Sequence, residues 1–156
     1  MRTFLLKVTS PVGGSVHVGL LILRVFVGAM MLTHGMAKLL TFSELSLVFP
    51  DPLGVGSTMS LLLLLGSEVV CSILLMCGIL TRLVVLPSIF GLLVAVFAIH
   101  GGDAFAVKEL AWLYMGVYVA LFFTGAGRYS VDGLIFSRLQ AKEADAIWME
   151  TKKETL

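Results

Sequence analysis

The sequence predicts an all-α polytopic membrane protein, a bundle of four transmembrane helices, and three observations predict it. Hydrophobic side chains make up 58% of the residues and charged ones only 13%, with a mean hydropathy of +1.02, a balance outside the range of ordinary soluble domains. The apolar residues gather into four stretches of spanning length, separated by short segments rich in Gly, Pro and charge. A chain of 156 residues accommodates about four spans of ~20 residues each and leaves no room for a sizeable soluble domain.

The first span is expected over residues 18–40, entered from the polar lead Thr9-Ser10-Pro11-Val12-Gly13-Gly14-Ser15 and left through Thr41-Phe42-Ser43-Glu44. The run shows no small-residue cleavage site, so it is expected to be retained rather than removed as a signal peptide. Residues 43–56 form the longest internal loop, and the prolines of Phe49-Pro50-Asp51-Pro52 suit a turn at the membrane surface. The second span is expected over 57–80. Thr81-Arg82 is too short for more than a tight reversal, so the third span, 83–99, forms an antiparallel hairpin with it. Pro87 falls near the start of that span, where a missing N–H costs least. After His100-Gly101-Gly102-Asp103 the fourth span is expected over 109–124, with Glu109 at its favourable N-terminal end. The chain thus divides into a lead (1–17), a membrane domain (18–133) and a charged tail (134–156) suited to a short surface helix or a frayed end.

Four spans place both termini on one side of the bilayer. That side holds Arg2, Lys7, Arg82, Arg128, Arg138, Lys142, Lys152 and Lys153, against Lys38 and Lys108 near the other. The positive-inside rule then puts both termini in the cytoplasm of a bacterial-type inner membrane, with Arg24, Arg82, Arg128 and Asp132 at the cytoplasmic boundary.

Ionisable side chains inside the spans are the candidate functional residues. A charge at the centre of a spanning helix costs about 2.5–3.5 kcal/mol on insertion scales, so one kept there faces protein, water or a ligand. At ~1.5 Å rise per residue, His34 lies about 15 Å and Lys38 about 21 Å beyond Arg24. Glu68, reached from Arg82 along the second span, is also about 21 Å in, so Lys38 and Glu68 share a depth. His34, Lys38, Glu68, His100 and Glu109 are therefore expected to form a polar pocket in the outer half of the bundle. Each has a plainer reading beside this one. Arg24 can snorkel to cytoplasmic phosphates and Lys38 to the outer surface. A Lys38–Glu68 pair can merely fix helix packing. His34 can serve as an interhelical hydrogen-bonding residue, His100 as a surface residue, and Lys108-Glu109 as an interfacial pair.

Other classes are excluded or unsupported. A net charge of +1 without a basic stripe gives no nucleic-acid footprint. Cys71 and Cys77 stand six apart within one span, neither a redox nor a metal spacing, and read as small apolar residues. The spacing of His17, His34 and His100 offers no haem or metal site, and no phosphate loop, dinucleotide fingerprint or nucleophile elbow is present. Gly28, Gly35, Gly66 and Ser67 permit close helix approach, within one bundle or between copies in a homo-oligomer.

Several patches resemble the DoxX family of small four-helix membrane proteins. They are Leu23-Arg24-Val25 with Leu32-Thr33-His34-Gly35-Met36-Ala37-Lys38-Leu39, then Glu68 ahead of Cys77-Gly78-Ile79-Leu80-Thr81-Arg82, then Lys108-Glu109-Leu110-Ala111, and last Gly125-Ala126-Gly127-Arg128-Tyr129-Ser130-Val131-Asp132. The likeness runs over about 20–133, with Ala126 where the family tends to place Pro. The resemblance implies a membrane subunit or anchor of a redox system linked to quinone, sulfur compounds or oxidative stress. Glu68 and His34 would exchange protons with a quinone, and Lys38 or Arg24 would orient an anionic or carbonyl group; with no electron-carrying centre visible in the chain, catalysis would require either a soluble redox enzyme subunit or direct quinone chemistry. From the residues alone, a small proton-coupled transporter and a non-catalytic membrane scaffold stand as alternatives.

Overall fold

The computed structural model describes residues 13–154. Six helices follow in order: α1 (Gly13–Leu40), α2 (Phe42–Val48), α3 (Ser57–Cys77), α4 (Thr81–Ile99), α5 (Phe105–Thr124) and α6 (Val131–Glu154). Four of them, with spans at Ser15–Leu40, Ser57–Cys77, Thr81–Ile99 and Phe105–Thr124, are long and apolar enough to cross a membrane. They alternate in direction: α1 packs on α3, α3 on α4 and α4 on α5, with a lighter contact from α5 back to α1. Val27, Met31, Leu75, Val84, Val85, Tyr114, Tyr118 and Leu121 form the core. Large apolar side chains such as Phe26, Leu83, Leu113 and Phe123 are instead exposed on the outer surface, the pattern of a bundle solvated by lipid.

Two glycines of α1 set how closely it meets α3. A Cβ on Gly28 would stand 2.7 Å from Met76 Cγ, and one on Gly35 would stand 2.6 Å from Val69 Cγ2 and 3.0 Å from Glu68 Cβ. These contacts lie within one chain, so both glycines serve packing inside the bundle. Gly66, by contrast, has open space where a Cβ would go.

The helices depart from the expected boundaries for physical reasons. α3 ends three residues early because Gly78, in the left-handed region at φ 68°, closes it with a paired cap: the amide of Ile79 donates to the Leu74 carbonyl and that of Gly78 to the Leu75 carbonyl, each at 3.0 Å. The reversal is therefore Gly78-Ile79-Leu80, and Thr81-Arg82 already belong to α4. Starting α4 there moves Pro87 out of the first turn and into the helix interior, where its missing N–H leaves the Leu83 carbonyl without its usual helical donor. The expected loop of 43–56 begins instead as α2, which ends before Pro50 because the residue preceding a proline, Phe49, is driven to extended backbone. α5 begins at Phe105, so Glu109 sits in its second turn and not at its positive end. The tail is neither short nor frayed: α6 is a helix of 24 residues that makes almost no contact with the bundle. Residues 1–12, with Arg2, Lys7 and most of the polar lead, lie outside the described residues.

Two stretches of π-helix interrupt the spans, Gly66–Val70 in α3 and Ala95–Ile99 in α4. The amide of His100 accordingly reaches back five residues, to the Ala95 carbonyl at 2.9 Å. A π-turn closes each hydrogen bond over one more residue than an α-turn, a rare interruption found frequently at functional sites.

Candidate functional site: a charged pair beside an intramembrane cavity

The two π-stretches face a common cavity of about 340 Å³, within the size range of small-molecule sites. α1 contributes Lys38, α3 contributes Ser67 and Glu68, α4 contributes Ser88, and His100 stands at the end of the second π-stretch. Its remaining walls are apolar and include Met31, Phe49, Leu64 and Leu92.

Lys38 and Glu68 meet across the α1–α3 contact. The ammonium donates to both carboxylate oxygens of Glu68, at 2.7 and 2.9 Å, and only 12% of the Glu68 side chain is exposed. The equal depth expected from helical rise becomes a direct contact because Gly35, one helical turn from Lys38, lets α1 lie against the Glu68 backbone. A third bond from Lys38, to the His34 carbonyl, is long at 3.4 Å. With Glu68 as its strong partner, Lys38 points into the bundle and does not snorkel outward.

The other expected members of the pocket divide. His100 lines the cavity and holds Asp103 through Nδ1 at 2.7 Å. Lys108 fastens the same turn by donating to the carbonyls of His100 and Gly101, each at 3.1 Å. The side chain of His34 does not line the cavity; it is exposed, with its ring edge-on to Tyr114 at a centroid distance of 6.0 Å. Glu109 is exposed and also stands apart, because α5 begins four residues before it. The cavity therefore gathers Lys38, Glu68 and His100, and leaves the side chains of His34 and Glu109 outside.

Sequence reasoning placed the Phe49-Pro50-Asp51-Pro52 turn at the membrane surface but missed that it walls the site and that Asp51 organises it. Asp51 accepts a hydrogen bond from the Ser60 hydroxyl at 2.7 Å, from the Val55 amide at 3.0 Å and from the Gly56 amide at 2.6 Å. These donors, Ser60 foremost and then Gly56, hold the Asp51 carboxyl below its usual range. An acidic residue between two prolines and shortly before Gly54 and Gly56 was the available signal. It also missed Tyr114 and Tyr118, four apart and stacked at 6.4 Å. Tyr118 is buried, with its hydroxyl beside that of Ser72.

The opposite end of the bundle holds the remaining charges. Arg24 is 2% exposed; its guanidinium lies beneath Gly78 and Ser130 and donates to the Tyr129 carbonyl. It is thus a buried strut between α1 and the segment entering α6, and not a snorkelling anchor. Asp132 caps the start of α4, accepting from the amides of Leu80 at 2.8 Å and Thr81 at 2.9 Å, while its own amide donates to the Gly78 carbonyl at 3.0 Å. Arg82 donates to the Phe123 carbonyl at 3.3 Å. Arg128 is exposed, and its amide donates to His17 Nδ1 at 3.3 Å.

Comparison with known proteins adds one match. The DoxX family model aligns with residues 19–101, from α1 to the turn after α4. That stretch holds Arg24, His34, Lys38, Glu68 and His100. No curated protein and no solved structure matches the chain.

Proposed function

The chain belongs to the DoxX family, and on that premise we propose that it is a membrane subunit of a redox system, seated in a bacterial-type inner membrane with both termini in the cytoplasm. Its intramembrane cavity receives a quinone or a small sulfur compound, and a soluble enzyme subunit is the electron-transferring partner. The observation that carries this reading is the Lys38–Glu68 pair standing at the wall of a 340 Å³ cavity between two π-stretches. An ion pair kept only for packing gains nothing from an adjoining void, since desolvation already offsets most of its attraction. Bordering a cavity, the same pair offers an ammonium donor and a carboxylate proton acceptor within ~3 Å of each other, the geometry general acid–base chemistry uses.

The donor set fits a quinone head. A quinone, when bound, takes up two electrons and two protons. Lys38 would orient a carbonyl or anionic oxygen, Glu68 would hold or release a proton at its carboxylate, and the apolar walls would exclude water. His100, at the outer end of the cavity and hydrogen-bonded to Asp103, is placed to relay protons between Glu68 and the outer surface.

Purified protein in native lipid should carry the bound compound, identified by mass spectrometry of co-purifying small molecules. Glu68→Gln should raise the oxidant sensitivity of the host. An empty bundle together with an unchanged host overturns the reading. A second reading, a small proton-coupled carrier, is favoured by the buried Tyr118 and Ser72 hydroxyls continuing the polar groups of the site into the core. Proton-coupled flux in liposomes that is lost in Glu68→Gln would select it.

A further inference from the structure

The 340 Å³ cavity has an annex. A second hollow of about 180 Å³ lies between α3 and α4, and Phe49, Pro50, Leu64, Ser67 and Gly91 belong to the walls of both. The annex holds no free polar group in effect. Ser60 spends its hydroxyl on Asp51 and Ser67 spends its own on the Leu64 carbonyl at 2.8 Å. At its rim stand Leu63 and Phe90, both 56% exposed on the surface that faces the bilayer. One end of the combined space is therefore charged and the other is a greasy slot open to lipid, roofed by the Phe49-Pro50-Asp51-Pro52 turn.

Resting on the ligand-binding reading above, we propose that the site takes a neutral amphiphile that enters sideways from the bilayer between α3 and α4. Its small head accepts a hydrogen bond from Lys38, as a quinone carbonyl does, and in its reduced, hydroxyl-bearing form also donates one to Glu68. Its apolar chain lies in the annex. Water-soluble compounds are disfavoured, because half of such a cavity would offer them no partner and a polar molecule would leave its own groups unpaired there. Neutrality follows from the pair itself, whose charges already balance; a charged head would add an uncompensated charge within the membrane. Gly91 sets the passage between head chamber and slot. A Cβ there would meet Leu64 and Ser67 at 3.6 Å, ordinary contact, so alanine fits while leucine fills the opening.

The test uses the full chain in lipid nanodiscs and a 4-nonylphenol carrying a mid-chain diazirine. Photolabelling should map to Leu63, Leu64, Phe90 or Val94. Unlabelled 4-nonylphenol should displace the probe at least about tenfold better than phenol. Gly91→Leu should cut labelling about tenfold while Gly91→Ala leaves it unchanged, and Glu68→Gln should weaken it. Equal competition by phenol overturns the tail slot but leaves the head chamber standing. Label spread over the lipid-facing residues of all four spans, and indifferent to competitor, shows bilayer partition only and overturns the proposal. The redox reading fails separately, if labelling behaves as expected and Glu68→Gln leaves host oxidant sensitivity unchanged.

Discussion

The two ends of the bundle both bury charge, and they do it in opposite ways. At one end Arg24 and Asp132 are tied to backbone: the guanidinium to the Tyr129 carbonyl, the carboxylate to the amides of Leu80 and Thr81, in a region so tight that Gly78 has no space for a methyl group. At the other end Lys38 and Glu68 are tied to each other beside open volume. Charges that hold main-chain turns in place act as joints, and removing them disorders the fold. Charges paired beside a void have a surface still available for another molecule. On the function proposed above, the contrast leaves structure to the Arg24 end and chemistry to the Lys38 end.

The largest effect is expected at Gly78. A side chain there would collide with Arg24 and Ser130 and occupy a positive φ, so Gly78→Val should destabilise by at least about 3 kcal/mol. Thermal unfolding in detergent reads this; an unchanged midpoint would show that the Arg24 end is not the joint described. Next in size is the pair itself. Lys38→Met leaves Glu68 without its partner and should cost about 1–3 kcal/mol, less than a fully buried pair because 28% of the Lys38 side chain is exposed. The double variant Lys38→Met/Glu68→Leu should regain most of that loss in the same assay yet remain inactive in the host. Recovery of function in the double variant would reduce the pair to packing.

A smaller effect is expected from Gly35→Ala, whose methyl meets Val69 and the Glu68 backbone. Separating α1 from α3 by even a fraction of an ångström should cost about 1–2 kcal/mol and weaken ligand retention, because the same contact sets the Lys38–Glu68 distance. Unfolding and co-purifying ligand, measured together, check it. The smallest effect concerns the roof. Asp51 has a folded pKa below its ordinary 3.8, so its hydrogen bonds contribute fully above that value and are lost as pH falls through the lower folded one. Amide exchange at Val55 and Gly56, corrected for the intrinsic rate, should accelerate below about pH 4. Asp51→Asn should show the faster exchange already at neutral pH.

Much of this architecture was legible in the sequence because hydropathy and helical rise are nearly independent of tertiary detail. Four spans and the shared depth of Lys38 and Glu68 follow from counting. Residues whose placement depends on helix rotation or on an exact start were not legible. Arg24 looks like a snorkelling anchor until the turn at Gly78 and the segment at Tyr129 close over it. Glu109 looks like a helix entry because Lys108-Glu109 is the visible charge, while the apolar Phe105 in fact begins α5. No sequence period announces a π-turn, so the facing stretches at 66–70 and 95–99 could not be read in advance, although a pocket holding Lys38, Glu68 and His100 was expected. The role of the Asp51 loop is set by Ser60, nine residues on, a partner that only the folded turn selects.

The placement of Asp132 makes the tail more than an appendage. The residue belongs to the first turn of α6, a rod reaching to Glu154, and with the same side chain it seats the hinge between α3 and α4. Those two helices also flank the slot proposed to open to lipid. A protein that held the rod would therefore reach, through one carboxylate, the turn that joins α3 to α4.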